Sequence, residues 1–81
     1  MDFQKTLYEL VEPMVEDKEA LSIQQRESLN DNEVILVVYA NSNDIGRLIG
    51  RRGVMAQSLR QVMGIAGRVN DCRINIQFES Y

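Results

Sequence analysis

Two stretches that read as β-strands are separated by about thirty residues carrying two helical patterns, and that spacing limits the possible folds sharply. Val34-Ile35-Leu36-Val37-Val38-Tyr39-Ala40 is rich in β-branched residues and apolar on both faces, as a central strand requires. Ile74, Ile76 and Phe78 alternate with Arg73, Asn75, Gln77 and Glu79, the period-two pattern of a strand with one covered face. A helical connection of that length is a crossover and predicts a parallel pair. Upstream, Leu21 and Ile23 alternate with Ser22 and Gln24 in a half-buried strand running to about Glu27. Asn30-Asp31-Asn32 has the side chains of a tight turn, so the first two strands should form an antiparallel hairpin.

Phe3, Leu7, Leu10, Val11 and Met14 share one face of an amino-terminal helix. Pro13 has no amide to donate and disfavours a helical Glu12, which predicts a kink or break in the last turn. Glu16-Asp17-Lys18-Glu19 reads as a solvated loop. Within the crossover, Asn41-Ser42-Asn43-Asp44 offers caps for a short helix bearing Ile45, Leu48 and Ile49. A second helix carries Met55, Leu59, Val62, Met63 and Ala66, and Gly64 and Gly67 predict that it stops near them. The order α-β-β-α-α-β gives an α+β fold, a single domain over residues 1–81, with a three-stranded mixed sheet and its helices on one face. The other face would carry Ile35, Val37 and Tyr39, which reflects either strand propensity or contact with another protein chain.

Composition narrows the chemistry. The 81 residues can enclose one small core. Histidine is absent and Cys72 is the sole cysteine, so an internal disulfide is impossible and a structural zinc site nearly so. No nucleophile is paired with a base; a binding role without metal or cofactor is expected rather than an enzyme. No apolar run approaches the roughly 20 residues that span a bilayer. Met1-Asp2-Phe3-Gln4 lacks the basic start of a signal peptide, so a cytoplasmic protein without membrane contact is expected. Phe3, Tyr8, Tyr39, Phe78 and Tyr81 are expected mainly in the core, as are Met55 and Met63, and Cys72 reads as a tolerated thiol.

The net charge of −3 conceals a division. Residues 1–40 hold three basic and nine acidic side chains, whereas residues 41–81 hold six basic and three acidic. From Ile45 to Val69 there are five arginines (Arg47, Arg51, Arg52, Arg60, Arg68) and no acid. Such a segment can attract phosphate on a chain that is acidic overall. Its centre is Gly50-Arg51-Arg52-Gly53, between the two crossover helices. A G-x-x-G spacing alone is weak evidence, but two intervening arginines at that position sharpen it. Glycines let a nucleic-acid backbone approach the main chain, and the amides opening the next helix favour an anion. Arg51 and Arg52 add donors for phosphate oxygens. An aliphatic groove floor from Ile49, Val54 and Ile74 would hold the bases.

Asp44-Ile45-Gly46-Arg47-Leu48-Ile49-Gly50-Arg51-Arg52-Gly53 resembles the signature of KH domains, whose G-x-x-G loop clamps about four nucleotides of single-stranded RNA. A helix and strand ahead of the signature resemble the type II arrangement. In length, and in lacking an appended domain, the chain is similar to the small bacterial KhpA family. That resemblance implies a cytoplasmic RNA-binding protein and RNA chaperone. It also implies a homodimer, or a heterodimer with a larger KH-containing protein of the KhpB type, acting in cell elongation and cell-wall growth. Carried over by position, Gly50, Arg51, Arg52 and Gly53 become the clamp, with Gly46 and Arg47 as upstream support. Two rivals stand beside this reading. One is a protein-interaction or dimerisation subunit with little RNA affinity. The other is a helix-turn-helix DNA reader, disfavoured because the second crossover helix offers mainly Gln57, Ser58, Arg60 and Gln61 to bases.

Overall fold

A computed structural model describes residues 2–81. Helix α1 (Phe3–Val11) begins at Asp2, whose side chain accepts from the Lys5 amide at 3.1 Å. Pro13 ends it as predicted, because Glu12–Met14 tighten into a 3-10 turn. Strands β1 (Ser22–Glu27) and β2 (Glu33–Ala40) follow, then α2 (Ser42–Ile49), a 3-10 turn at Arg51–Gly53, α3 (Val54–Val69) and β3 (Arg73–Ser80). The sheet order is β1-β2-β3. β1 and β2 are antiparallel, with Ile23 opposite Val38. β2 and β3 are parallel, with Val34 opposite Ile74 and Leu36 opposite Ile76. The mixed sheet required by the long crossover is therefore present.

Side-chain alternation decides which face the helices cover. Leu36, Val38 and Ala40 of β2 join Ile23 and Ile76 beneath Leu7, Val11, Leu48, Leu59 and Met63 in one buried cluster. Phe3, Tyr8 and Phe78 pack against its margin. On the reverse face Val37 is also fully buried, flanked in register by Gln24 and Gln77, while Ile35 and Tyr39 are half-buried. The Arg26 guanidinium donates to the Tyr39 hydroxyl and lies 6.0 Å over its ring, and the Tyr81 ring is 6.0 Å away on another side. That face is thus closed by its own polar and aromatic side chains rather than left apolar and open. Tyr39 and Tyr81 accordingly stand outside the core expected for them.

Helix α3 stops at Val69, two residues beyond Gly67 and close to where the glycines predicted. Gly67 also serves a close approach: a Cβ there would lie 2.7 Å from the Cys72 carbonyl oxygen, and the Cys72 amide donates to the Gly67 carbonyl at 2.8 Å. Its core face is Ala56, Leu59, Met63 and Gly67. Val62, placed by pattern with the core, is exposed, as are Val54, Met55, Ile65 and Val69, all on one side of the helix. These five form a contiguous exposed apolar stripe on α3, while Leu10, Leu29, Ile49 and Tyr81 are exposed elsewhere. Among the described residues no helix is long and apolar enough to cross a membrane, and no cluster of metal-ligating side chains occurs.

Candidate nucleic-acid interface

The turn between α2 and α3 is built by its glycines. α2 is capped by Asn41, whose side chain accepts from the Asp44 amide, and its last turn closes when the Gly50 amide donates to the Gly46 carbonyl at 2.9 Å. The chain then reverses at Gly50, with φ 77°, where a Cβ would lie 2.7 Å from the Met55 Cβ. Gly53 is left-handed at φ 75°, and so is Arg52 at φ 58°, a conformation that costs a non-glycine residue roughly 1–2 kcal/mol. The Gly53 amide donates to the Gly50 carbonyl, and the Val54 amide to that of Arg51. Arg47, Gly50, Arg51, Arg52, Val54 and Met55 line an open groove beside this turn. Polar donors therefore sit at the rim of a partly apolar trough.

The five arginines of the acid-free segment are not equivalent. Arg51 and Arg52 are exposed and make no ion pair among the described residues. Arg60 donates to the Ile76 carbonyl at 3.1 Å and lies 5.6 Å from the Phe78 ring, so it covers the edge of β3. Arg68 borders a separate polar hollow with Arg73 at the other end of the sheet. Arg47 is held by two carboxylates: Nη1 donates to Asp44 Oδ1 at 2.6 Å and Nη2 to Glu16 Oε1 at 2.9 Å. A stretch without acids in sequence is not without acids in space.

Asp44 is the fully buried hub of that network. Its two oxygens accept from the Glu16 amide at 3.0 Å and the Asp17 amide at 3.1 Å. These bonds, the Glu16 amide foremost, hold its carboxyl below the usual carboxylate range, with Arg47 adding to the effect against the opposing cost of burial. Glu16-Asp17-Lys18-Glu19 is a solvated loop as expected, with all four residues exposed, but its backbone also fastens it to α2. Asp44 looked like one of several caps; its position in the helix's first turn is the only local signal, and nothing near it in sequence announces partners 27 and 28 residues away.

The remaining groove candidates divide. Val54 is 59% exposed within the groove, and Ile49 is exposed at the end of α2. Ile74 is elsewhere: its Cγ1 is 3.0 Å from the place a Gly67 Cβ would take. Gly67 lies ~20 Å along α3 from Val54 at 1.5 Å per residue, so Ile74 cannot help form a floor at the turn. Met55, read from sequence as core filler, lines the groove instead. Gly46 sits on the exposed side of α2 with nothing within 4 Å of a built Cβ.

A helix-strand-strand-helix-helix-strand chain, with its central strand parallel to the last and a glycine-bounded turn between the crossover helices, is a KH domain of the type II arrangement. Comparison with known families makes the assignment particular. The profile described as "KhpA/KhpB, KH domain" matches residues 4–78, and the chain belongs to that family. It is 26% identical over 74 residues to "RNA-binding protein KhpA" of Listeria monocytogenes, covering 91% of this chain and 95% of that relative. The protein of the same name from Listeria innocua matches to the same extent, 26% over 74 residues.

Proposed function

We propose that the chain binds single-stranded RNA across the Gly50-Arg51-Arg52-Gly53 turn, with phosphates at the turn and bases over Val54 and Met55. The observation that carries this reading is two exposed guanidinium groups, with no ion pair among the described residues, at the rim of the groove. Both suit a phosphate oxygen, and the apolar side of the groove suits a base. Gly46 supports it further, because an exposed helical glycine that fills no tight space leaves room for a close ligand. Membership of a family whose relatives are named for RNA binding points the same way.

The family resemblance extends this reading to an RNA chaperone in the cytoplasm, paired with a second copy or a larger KhpB-type KH protein in cell elongation and cell-wall growth. The exposed stripe Val62, Ile65 and Val69 on α3 is the surface suited to such pairing. Replacement of both arginines, Arg51→Asp with Arg52→Asp, should leave the circular dichroism spectrum intact, since both side chains are exposed. Affinity for a short single-stranded RNA should fall at least about tenfold. The dependence of log K on log salt should flatten by up to about 1.4, two phosphates at roughly 0.7 each. Unchanged affinity and slope would overturn the assignment. Light scattering with and without RNA tests the rival of a pure interaction subunit, and a preference for duplex over single strands in competition would favour the DNA reader.

A further inference from the structure

We infer that Glu16, in the loop after α1, is a built-in competitor for phosphate at the RNA groove and sets the strength of binding through Arg47. This rests on the groove being the RNA site. Arg47 lines the groove together with Gly50, Arg51 and Arg52, so its guanidinium belongs to the same positive surface. Unlike those of Arg51 and Arg52, its charge is already engaged from two sides.

The two engagements differ in kind. Asp44 is buried and fixed by the Glu16 and Asp17 amides, so its bond to Nη1 anchors the Arg47 side chain without being exchangeable. The Glu16 carboxylate is 78% exposed and meets Nη2 at 2.9 Å, while the Arg47 side chain is itself 44% exposed. An exposed pair of this sort holds loosely and is screened by salt. Phosphate offers Arg47 the same geometry as a carboxylate, with more acceptor oxygens. An RNA backbone in the groove would take over Nη2 and leave Glu16 as a free negative charge beside it. Binding is weakened both by the lost pair and by that repulsion. The backbone amide of Glu16 still holds Asp44 in either state, so the side chain is released without loosening the loop.

The test uses the full chain and a single-stranded RNA of mixed sequence. Glu16→Gln should raise affinity about three- to tenfold in low salt, steepen the salt dependence, and lose most of its advantage in high salt. Glu19→Gln removes one exposed acid from the same loop without touching Arg47 and measures the bulk effect of charge. The gain from Glu16→Gln should exceed that control and fall to the control's size in an Arg47→Ala background, where Glu16 still repels RNA but has nothing to withhold. A gain no larger than the control's, or one undiminished in Arg47→Ala, overturns the inference. If instead Arg51→Asp with Arg52→Asp leaves RNA binding of the parent chain unchanged, the groove itself has been misplaced. That outcome is distinct from a groove that binds RNA but ignores Glu16.

Discussion

Gly46 and Gly50 share a hydrogen bond at the end of α2, yet only one of them is demanded by the fold. Gly50 turns the chain at φ 77° and leaves no space for a Cβ against Met55. Gly46 has ordinary helical geometry, and a methyl group would meet nothing within 4 Å. An exposed helical glycine costs roughly 0.5–1 kcal/mol relative to alanine. A residue that lowers stability without steric need is best explained by what approaches it from outside. Gly46→Ala should therefore raise the thermal midpoint by roughly 2–6 °C for a domain of this size and at the same time weaken RNA binding severalfold. Gly50→Ala should lower both, because it combines positive φ with a clash. Thermal melts and RNA titrations on the two variants check the contrast. A Gly46→Ala protein that is more stable and binds equally well would remove Gly46 from the interface.

At the scale of elements, the hold of the loop after α1 on α2 depends on one ionised carboxylate. Asp44 binds its proton less readily in the folded chain than in the unfolded one, chiefly through the Glu16 amide. Its contribution is complete above the unfolded value near 3.9 and is lost as pH falls through the lower folded value. Glu33, held down chiefly by the Ser28 hydroxyl, acts in the same direction. The thermal midpoint should thus drop increasingly below about pH 4. Asp44→Asn should lower it at pH 7 and flatten the acid limb, leaving the Glu33 component, which a pH series of melts will show. Such a contact marks where the sequence stops being readable. The strands, the hairpin, the crossover and the glycine-bounded turn are set by local patterns: alternation from Ile74 to Phe78, Asn-rich turn chemistry, and Pro13 at the end of α1. Three features needed partners far away in the chain. Asp44 finds the Glu16 loop; Ile74 packs at the carboxy-terminal end of α3, where Gly67 makes room; and α3 is apolar on two sides, only one of which meets the sheet. Periodicity gives an apolar arc, but it does not say which part of that arc finds a neighbour.

For the molecule as a whole, that second apolar side is where the proposed pairing would act on the grip on RNA. A single KH clamp spans about four nucleotides, too few to bind tightly or selectively alone. Pairing two chains turns the second clamp's encounter into an intramolecular one and raises apparent affinity without any new contact to RNA. Val62, Ile65 and Val69 are 50%, 58% and 79% exposed on one side of α3, whereas the reverse face of the sheet closes over itself with Val37 fully buried. The helix layer is therefore the surface we propose for self-association, on the helix whose amino-terminal end borders the proposed clamp. Replacing Val62 and Ile65 by glutamine keeps the charge and leaves the core residues Leu59 and Met63 untouched. The double variant should be monomeric by light scattering at concentrations where the parent chain is dimeric. It should bind a four-nucleotide RNA like the parent, but one of about twelve nucleotides, long enough for two clamps and a connecting stretch, at least about tenfold more weakly. Equal losses on both RNAs would mean that the stripe touches RNA directly, and a parent chain that is strictly monomeric with and without RNA would leave the stripe to a different protein.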